Sequence, residues 1–308
     1  MGVGSTRREP GEVRVHVDGR ELSLSNLDKV LYPAAGFTKA QVVDYYARVG
    51  PWMLPHLAGR VVTMSRYPDG VDGPSFFEKR CPGHRPAWVA TARVGDGEGY
   101  EGCLVADLPS LVWAANLAAL ELHTPQARAD EPDRPTSVVF DLDPGPPAGV
   151  LECCRVALDL RALLEAVGLI AVVKTSGGKG LHVTVPLHTR TTAEETKAFA
   201  RAAGQLLARR EPDRVTVAMR RDARPGKVFV DWSQNDRHKT TVCAYSLRAG
   251  SRPAVSTPVS WDEVAGALRD GDPGVLVFEA PEVLERVGRL GDLAADALDE
   301  EQELPDLA

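Results

Sequence analysis

Thr136-Ser137-Val138-Val139-Phe140-Asp141-Leu142-Asp143-Pro144-Gly145 carries a short β-rich run into two acids and a Pro-Gly turn. Side chains alternate along a strand, so Asp141 and Asp143 project from one face at or just beyond its end, about 7 Å apart along the chain. Two carboxylates so placed repel each other unless protons or cations neutralise them. Oxygen-only donors suit Mg²⁺ or Mn²⁺ rather than zinc. Asp also favours turns, so the pair alone admits a plain strand-ending turn.

Downstream, a helix is predicted from about Leu151 to Val167, with Gly168 as its stop. Leu169 to Lys174 and Leu181 to Val185 are β-rich runs joined by Thr175-Ser176-Gly177-Gly178-Lys179-Gly180, which reads as a hairpin with a glycine-rich tip. A helix over Ala193–Arg209, a strand over Lys227–Trp232 and a helix over Trp261–Leu268 follow. The acidic end after about Leu293 is expected to fray.

Upstream, Glu12–Val17 and Arg60–Met64 read as strands, and Thr38 caps an amphipathic helix. Leu108 to Leu122 reads as one buried helix opened by Asp107 or Ser110 and closed before Pro125. Hairpins mixed with helices, without regular βαβ alternation, predict an α+β fold on a mainly antiparallel sheet. The expected layout is an N-terminal extension (1–20), one bilobed body (20–290) with a smaller lobe ending near 130, and an acidic tail (291–308).

Asp231 closes the apolar run Val228-Phe229-Val230, where a core-facing strand would not ordinarily carry an acid. With Asp141 and Asp143 it supplies the third carboxylate of a two-metal site for in-line phosphoryl displacement. A solvated strand end is the plain alternative. Ser176-Gly177-Gly178-Lys179-Gly180 offers a hydroxyl, backbone N–H groups and a positive charge, a concavity that can cradle phosphates. It lacks the Walker A spacing and also fits an ordinary hairpin turn. His182 is within reach of the same phosphate, or is a core histidine. His123 and a basic set including Arg220, Arg224 and Arg248 would add positive charge around a triphosphate or a nucleic-acid backbone. Phe76-Phe77, flanked by Ser75 and Lys79, is odd for a strand interior and predicts at least one exposed ring able to stack on bases.

The chain has 308 residues, 44% hydrophobic and 26% charged, which argues against bulk disorder and coiled coil. Its 36 Lys/Arg and 43 Asp/Glu give −7, yet residues 281–308 hold nine acids and two bases, and 201–248 eleven bases and five acids. A basic surface is therefore compatible with an acidic total. The apolar stretch Leu111–Leu122 is too short and polar to span a bilayer. The polar start has no secretory pattern, so a cytoplasmic protein is expected. Five cysteines without CxxC spacing imply neither a disulfide framework nor a zinc site.

In combination, Asp141-Leu142-Asp143-Pro144-Gly145, Thr175-Ser176-Gly177-Gly178-Lys179-Gly180-Leu181-His182 and Val230-Asp231-Trp232-Ser233-Gln234-Asn235 resemble the three signature motifs of the polymerase domain of bacterial ligase D, in the archaeo-eukaryotic primase superfamily. The resemblance extends through Leu24–Pro33, Ser75–Lys79, Trp113–Asn116 and Lys239–Thr241 and covers about residues 20–265. It implies a bilobed primase-polymerase fold and a nucleotidyltransferase that adds NTPs or dNTPs to a 3′ end in non-homologous end joining, with two Mn²⁺ or Mg²⁺ ions. By matching position, Asp141, Asp143 and Asp231 would hold the metals. His123, Ser176, Gly177, Lys179, Arg224, Gln234 and Arg248 would contact the nucleotide. Asn26, Lys29 and Lys39 resemble the pocket for the 5′-phosphate of a gapped or broken DNA end, and Phe76-Phe77 the base-stacking wedge, with Arg66 and Lys79 as further DNA contacts. Met64-Ser65-Arg66 stands where many members have consecutive basic residues, which implies a weaker contact there. Length leaves no room for ligase and nuclease modules, so a stand-alone polymerase is expected, with a separately encoded ligase and a Ku-like end-binding protein as partners. A catalytically weak end-binding module and a two-metal nuclease are the competing readings.

Overall fold

A computed structural model of the chain describes residues 12–95 and 97–305. The first eleven residues of the expected N-terminal extension and the last three of the tail lie outside that range. Chain order gives β1 (Glu12–Val17), β2 (Arg20–Ser25), β3 (Val30–Tyr32), β4 (Phe37–Thr38), α1 (Lys39–Leu57), β5 (Val61–Arg66), β6 (Phe76–Glu78), β7 (Thr91–Val94), β8 (Tyr100–Leu104), α2 (Leu108–Asn116) and β9 (Ala119–Thr124). Then come β10 (Ser137–Pro144), α3 (Val150–Glu165), β11 (Val172–Thr175), β12 (Leu181–Pro186), α4 (Ala193–Arg210), β13 (Val215–Thr216), β14 (Val228–Asp231), β15 (Thr241–Val242), β16 (Pro258–Val259), α5 (Trp261–Asp270) and α6 (Ala280–Leu290).

Two six-stranded sheets organise the molecule. In one, the order is β13-β14-β10-β12-β11-β16, antiparallel except for the β13/β14 pair. Val138, Phe140 and Leu142 of β10, with Leu181 and Val183 of β12 and Val228 and Val230 of β14, form its buried face under α3, α4 and α5. The other sheet runs β15-β9-β5-β8-β7, with β6 added to β5. Its core takes in α1, α2 and α6 together with Leu22 and Leu24 of the β1/β2 hairpin. The fold is α+β and mainly antiparallel. The chain passes between the cores more than once: Cys243–Val255 and α6 return to the first-built core, while β16 and α5 belong to the second.

Local chemistry sets the helix starts. Thr38 and Asp107 close capping boxes with Gln41 and Ser110, each satisfying N–H groups that the first turn leaves unpaired. The expected single helix over Leu108–Leu122 is incorrect. α2 stops at Asn116, Ala118 takes φ 55°, and Ala119–Thr124 leaves as a strand between β5 and β15. A continuous apolar run is equally compatible with buried helix and buried strand, and the open edges of β5 and β15 decide it. Likewise β10 does not end at Phe140; it continues through Pro144 because β14 supplies partners for Asp141 to Pro144.

Two further expectations need correction. Cys81 and Cys103 form a disulfide, their Cα atoms 4.8 Å apart. The Cys81 N–H donates to the Glu101 carbonyl, so the sheet edge rather than sequence spacing brings the pair together. The expected frayed end is docked. Asp292 lies 2.7 Å from His56 and accepts from the Tyr245 hydroxyl at 2.6 Å. The Gln302 side chain pairs with both backbone groups of Ile170 and with the Pro186 carbonyl. No helix among the described residues is long and apolar enough to cross a membrane.

Candidate active site

Asp141 is the Cα partner of Asp231 on β14 and of His182 on β12, and His182 is the partner of Lys174 on β11. Residues directly opposite one another in antiparallel pairs share a face. Lys174, His182, Asp141 and Asp231 thus form one polar row across four strands, on the face opposite the helices. Asp143, two residues on, joins that face opposite Phe229. The three aspartates expected to converge are brought together by register alone.

Each acid has a different environment. Asp231 is buried, its Oδ1 accepting from the Ser233 N–H and hydroxyl and its Oδ2 from Gln234 Nε2 at 2.9 Å. Gln234, expected at the nucleotide, is therefore a partner of Asp231. Asp141 lies 3.2 Å from His182 Nε2. Burial pushes its pKa up, but the imidazole beside it and Lys174 more than offset that and leave it below the usual value. Asp143 opens onto a cleft and is pushed up to about 6, by desolvation and then by the Asp141 and Asp231 charges. His182 is buried, its pKa lowered by burial and by Lys174, and its Nδ1 has no hydrogen-bond partner.

The glycine-rich bend is held against this row by close backbone contact. A Cβ on Gly180 would collide with the Leu142 carbonyl, between the two acids of β10, and one on Gly145 with the Arg224 carbonyl. Gly177 has φ 68° and sits against Val255, Ser256 and the Arg248 stem, a conformation and contact that only glycine tolerates. The Ser176 hydroxyl accepts from the N–H groups of Gly178 and Gly180, so those donors serve the bend itself. Lys179 stands at the tip. With Arg221 and Arg224 it lines a cleft of about 330 Å³ that also contains Asp143. The Arg224 guanidinium stacks 3.6 Å above Phe229, the strand partner of Asp143.

The other sheet contributes His123 and, through Glu121, Arg248. Glu121 is buried; its carboxylate lies 2.9 Å from His123 Nε2 and 3.4 Å from Arg248, and accepts from the Ala249 N–H. Burial raises its pKa, but these three partners reverse the shift and hold it below the usual value. Sequence reading missed Glu121 and Lys174, whose amine donates to Ser256 Oγ at 2.6 Å and is pushed down to about 7, chiefly by burial. The signal for Glu121 was a charged residue inside an apolar run, two residues from His123.

A separate cationic cluster unites the residues expected at a DNA end. Lys39 is 5% exposed, its amine donating to the Ser25 carbonyl, and it is pushed down to about 8 by burial, Lys29 and Arg66. The Asn26 carbonyl accepts from the Lys29 N–H, and the Lys29 amine pairs with Asp69. Arg66 binds Glu78 and the Leu117 carbonyl and lies opposite Phe76. Phe76 and Phe77 are 55% and 56% exposed, as a stacking role requires, and Phe77 meets His123 edge-on at 5.7 Å.

The acidic row, the cation-lined cleft and the α+β frame fit the primase-polymerase class. The model of the LigD primase-polymerase domain matches residues 38–294. The chain is 41% identical over 275 residues to the multifunctional non-homologous end joining protein LigD of Mycolicibacterium smegmatis, covering 88% of this chain and 35% of that protein. It is 30% identical over 272 residues to the bifunctional non-homologous end joining protein LigD of Bacillus subtilis, covering 88% and 43%. The polymerase domain of Mycobacterium tuberculosis ligase D, solved in complex with DNA, superposes with a TM-score of 0.85 at 40% identity, covering 91% of this chain and 99% of that one. The chain belongs to the LigD primase-polymerase domain family, and it spans less than half the length of these curated relatives.

Proposed function

We propose that the protein fills gaps and extends broken DNA ends by adding NTPs or dNTPs to a primer 3′-hydroxyl, in non-homologous end joining or related repair. The observation that carries this reading is the register that aligns Asp141 with Asp231 while Asp143 faces the cleft of Lys179, Arg221 and Arg224.

The donor set suits hard divalent ions. It consists of carboxylate oxygens, and the mutual repulsion that raises Asp143 is what a cation would relieve. Among the described residues no group of three or more His, Cys, Asp or Glu side chains is placed to hold a metal ion by itself. Ions such as Mg²⁺ or Mn²⁺ bind through one or two carboxylates and complete their shell with substrate phosphate and water. Asp141, Asp143 and Asp231 would hold the pair of ions, which when bound supply activation of the hydroxyl and neutralisation of the charge that develops on phosphorus and the leaving pyrophosphate.

The chain's own groups do the positioning. Lys179, Arg221 and Arg224 would neutralise the triphosphate, and Arg248 and His123, fixed by Glu121, would hold the nucleotide from the opposite wall. His182 locks Asp141 in place. Asn26, Lys29, Lys39 and Arg66 would seat the DNA 5′-phosphate, with Phe76-Phe77 stacking on an unpaired base and Lys79 beside them on the backbone. A DNA ligase activity and a Ku-like protein are the partners this reading calls for, since transfer of a nucleotide does not seal a strand.

The separateness of the Lys39 cluster from the acidic row also favours a second reading, an end-binding and synapsis module with weak catalysis. Primer extension on a 5′-phosphorylated gapped duplex, with Mn²⁺ or Mg²⁺ and either nucleotide type, decides between them. Added nucleotides support polymerisation. Tight, 5′-phosphate-dependent binding without extension supports the second reading, and a shortened primer identifies a nuclease.

A further inference from the structure

A cavity of about 350 Å³ opens between the glycine-rich bend, the first residues of α3 and the segment 273–278 that joins α5 to α6. Val150, Val255, Leu276, Val277 and Phe278 give it apolar walls. The Val255 N–H donates to the Phe278 carbonyl at 2.9 Å, so two of these walls are tied together by backbone. On the 273–278 segment, Val275 and Val277 are 50% and 58% exposed. Uncovered apolar side chains beside an apolar concavity are what a ligand of the same character would cover.

Lys179 is the one charged residue that lines the cavity, and no carboxylate does. It is exposed, and among the described residues it forms no ion pair. A lone cation at the edge of an apolar pocket selects a ligand that is negative at one end and apolar over the rest of its surface. The volume lies at the small end of the range for ligand pockets, about 300–1,000 Å³, which suits one small molecule. Lys179 and Pro144 also line the cleft that contains Asp143, so one amine serves two adjoining spaces. An anion that draws Lys179 toward the cavity takes that charge away from a triphosphate in the cleft, and the two ligands weaken each other.

We propose that this cavity is an inhibitory site for a small amphipathic anion, an apolar or aromatic body bearing one carboxylate, sulfonate or phosphate group. The binding stands apart from the proposed activity; the inhibition rests on the polymerase reading.

The probe is anilinonaphthalene sulfonate, an aromatic anion whose fluorescence rises in an apolar site, titrated into the full chain in EDTA without DNA or nucleotide. One saturable site is expected. Val277→Glu, at an exposed position and checked by thermal melting, sets a like charge against the sulfonate and should weaken binding at least about tenfold, as should Lys179→Ala, which removes the counter-charge. Octanoate and AMP as competitors separate an aliphatic carboxylate from a nucleotide as the natural class. Displacement by either supports the site, and displacement by neither overturns it. In primer extension the probe should raise the wild-type KM for nucleotide with kcat unchanged. Val277→Glu should show no such rise, and its KM without probe should stay within about twofold of the wild type. Absence of saturable binding, binding that survives both variants, or binding that leaves the KM unmoved overturns the proposal. Absence of wild-type extension together with variant-sensitive probe binding supports the site and counts against the polymerase reading alone.

Discussion

Asp143 and Glu121 carry the sharpest expectations of single side chains. Asp143→Asn should cut the extension rate at least about a hundredfold, several kcal/mol of transition-state stabilisation, because it removes a cation-holding oxygen at the cleft. The same change should leave the fold intact. In EDTA, Asp143 binds its proton more tightly folded than unfolded, since its pKa is raised to about 6 from the ordinary 3.8. The Asp143 contribution to stability should therefore fall as pH rises from about 4 to 6, so that wild type loses stability relative to Asp143→Asn across that window; urea melts of the two proteins measure the difference. Glu121 holds both His123 and Arg248. Glu121→Ala should raise the KM for nucleotide about tenfold, roughly 1.4 kcal/mol, with a smaller effect on kcat, and Glu121→Gln should recover part of the loss. Steady-state kinetics at fixed DNA would read this split.

The elements that matter most are β10 and the glycine-rich bend. Gly180→Ala should force its new methyl into the Leu142 carbonyl, cost about 1–3 kcal/mol and lower extension by displacing Lys179 from the cleft; a thermal melt and an extension assay on one preparation check both effects. Much at this scale was legible beforehand. The hairpin around Gly177-Gly178, the helices at Thr38, Leu151 and Ala193, and the strand ending in Asp231 all follow from periodicity and caps. The run Leu108–Leu122 was not, because its hydrophobicity is continuous and the open edges of β5 and β15 determine where helix gives way to strand. For the candidate site, sequence reading picked out the three aspartates, which the register sets on one face, and Lys179, which lines the cleft beside Asp143. It could not supply Glu121 or Lys174, whose roles exist only through side-chain contacts made across the fold. It named Gln234 for the nucleotide, and only the fold shows that the local turn directs its amide to Asp231.

At the scale of the whole molecule, the C-terminal segment ties the two cores together, Asp292 to His56 and Tyr245 and Gln302 to Ile170 and Pro186. Asp292, partly buried between His56 and Tyr245, has its carboxyl held below the usual range: burial opposes this, but the His56 and Tyr245 contacts prevail. Its contribution is present above the ordinary carboxylate pKa and is lost as pH falls through the lowered folded value. Asp292→Ala should cost about 1–3 kcal/mol, seen as a lower urea midpoint, because the buried Tyr245 hydroxyl and the partly buried His56 ring lose their partner. The molecule's acidic total also conceals a divided surface, with the tail acidic and the cleft basic. Single-nucleotide incorporation into a 5′-phosphorylated gapped duplex with Mn²⁺, comparing wild type with Asp143→Asn of matched melting temperature, tests the acidic row most directly. Ready extension by the wild type and a loss of about a hundredfold or more in the variant is the expected result; near-native incorporation by the variant contradicts the account.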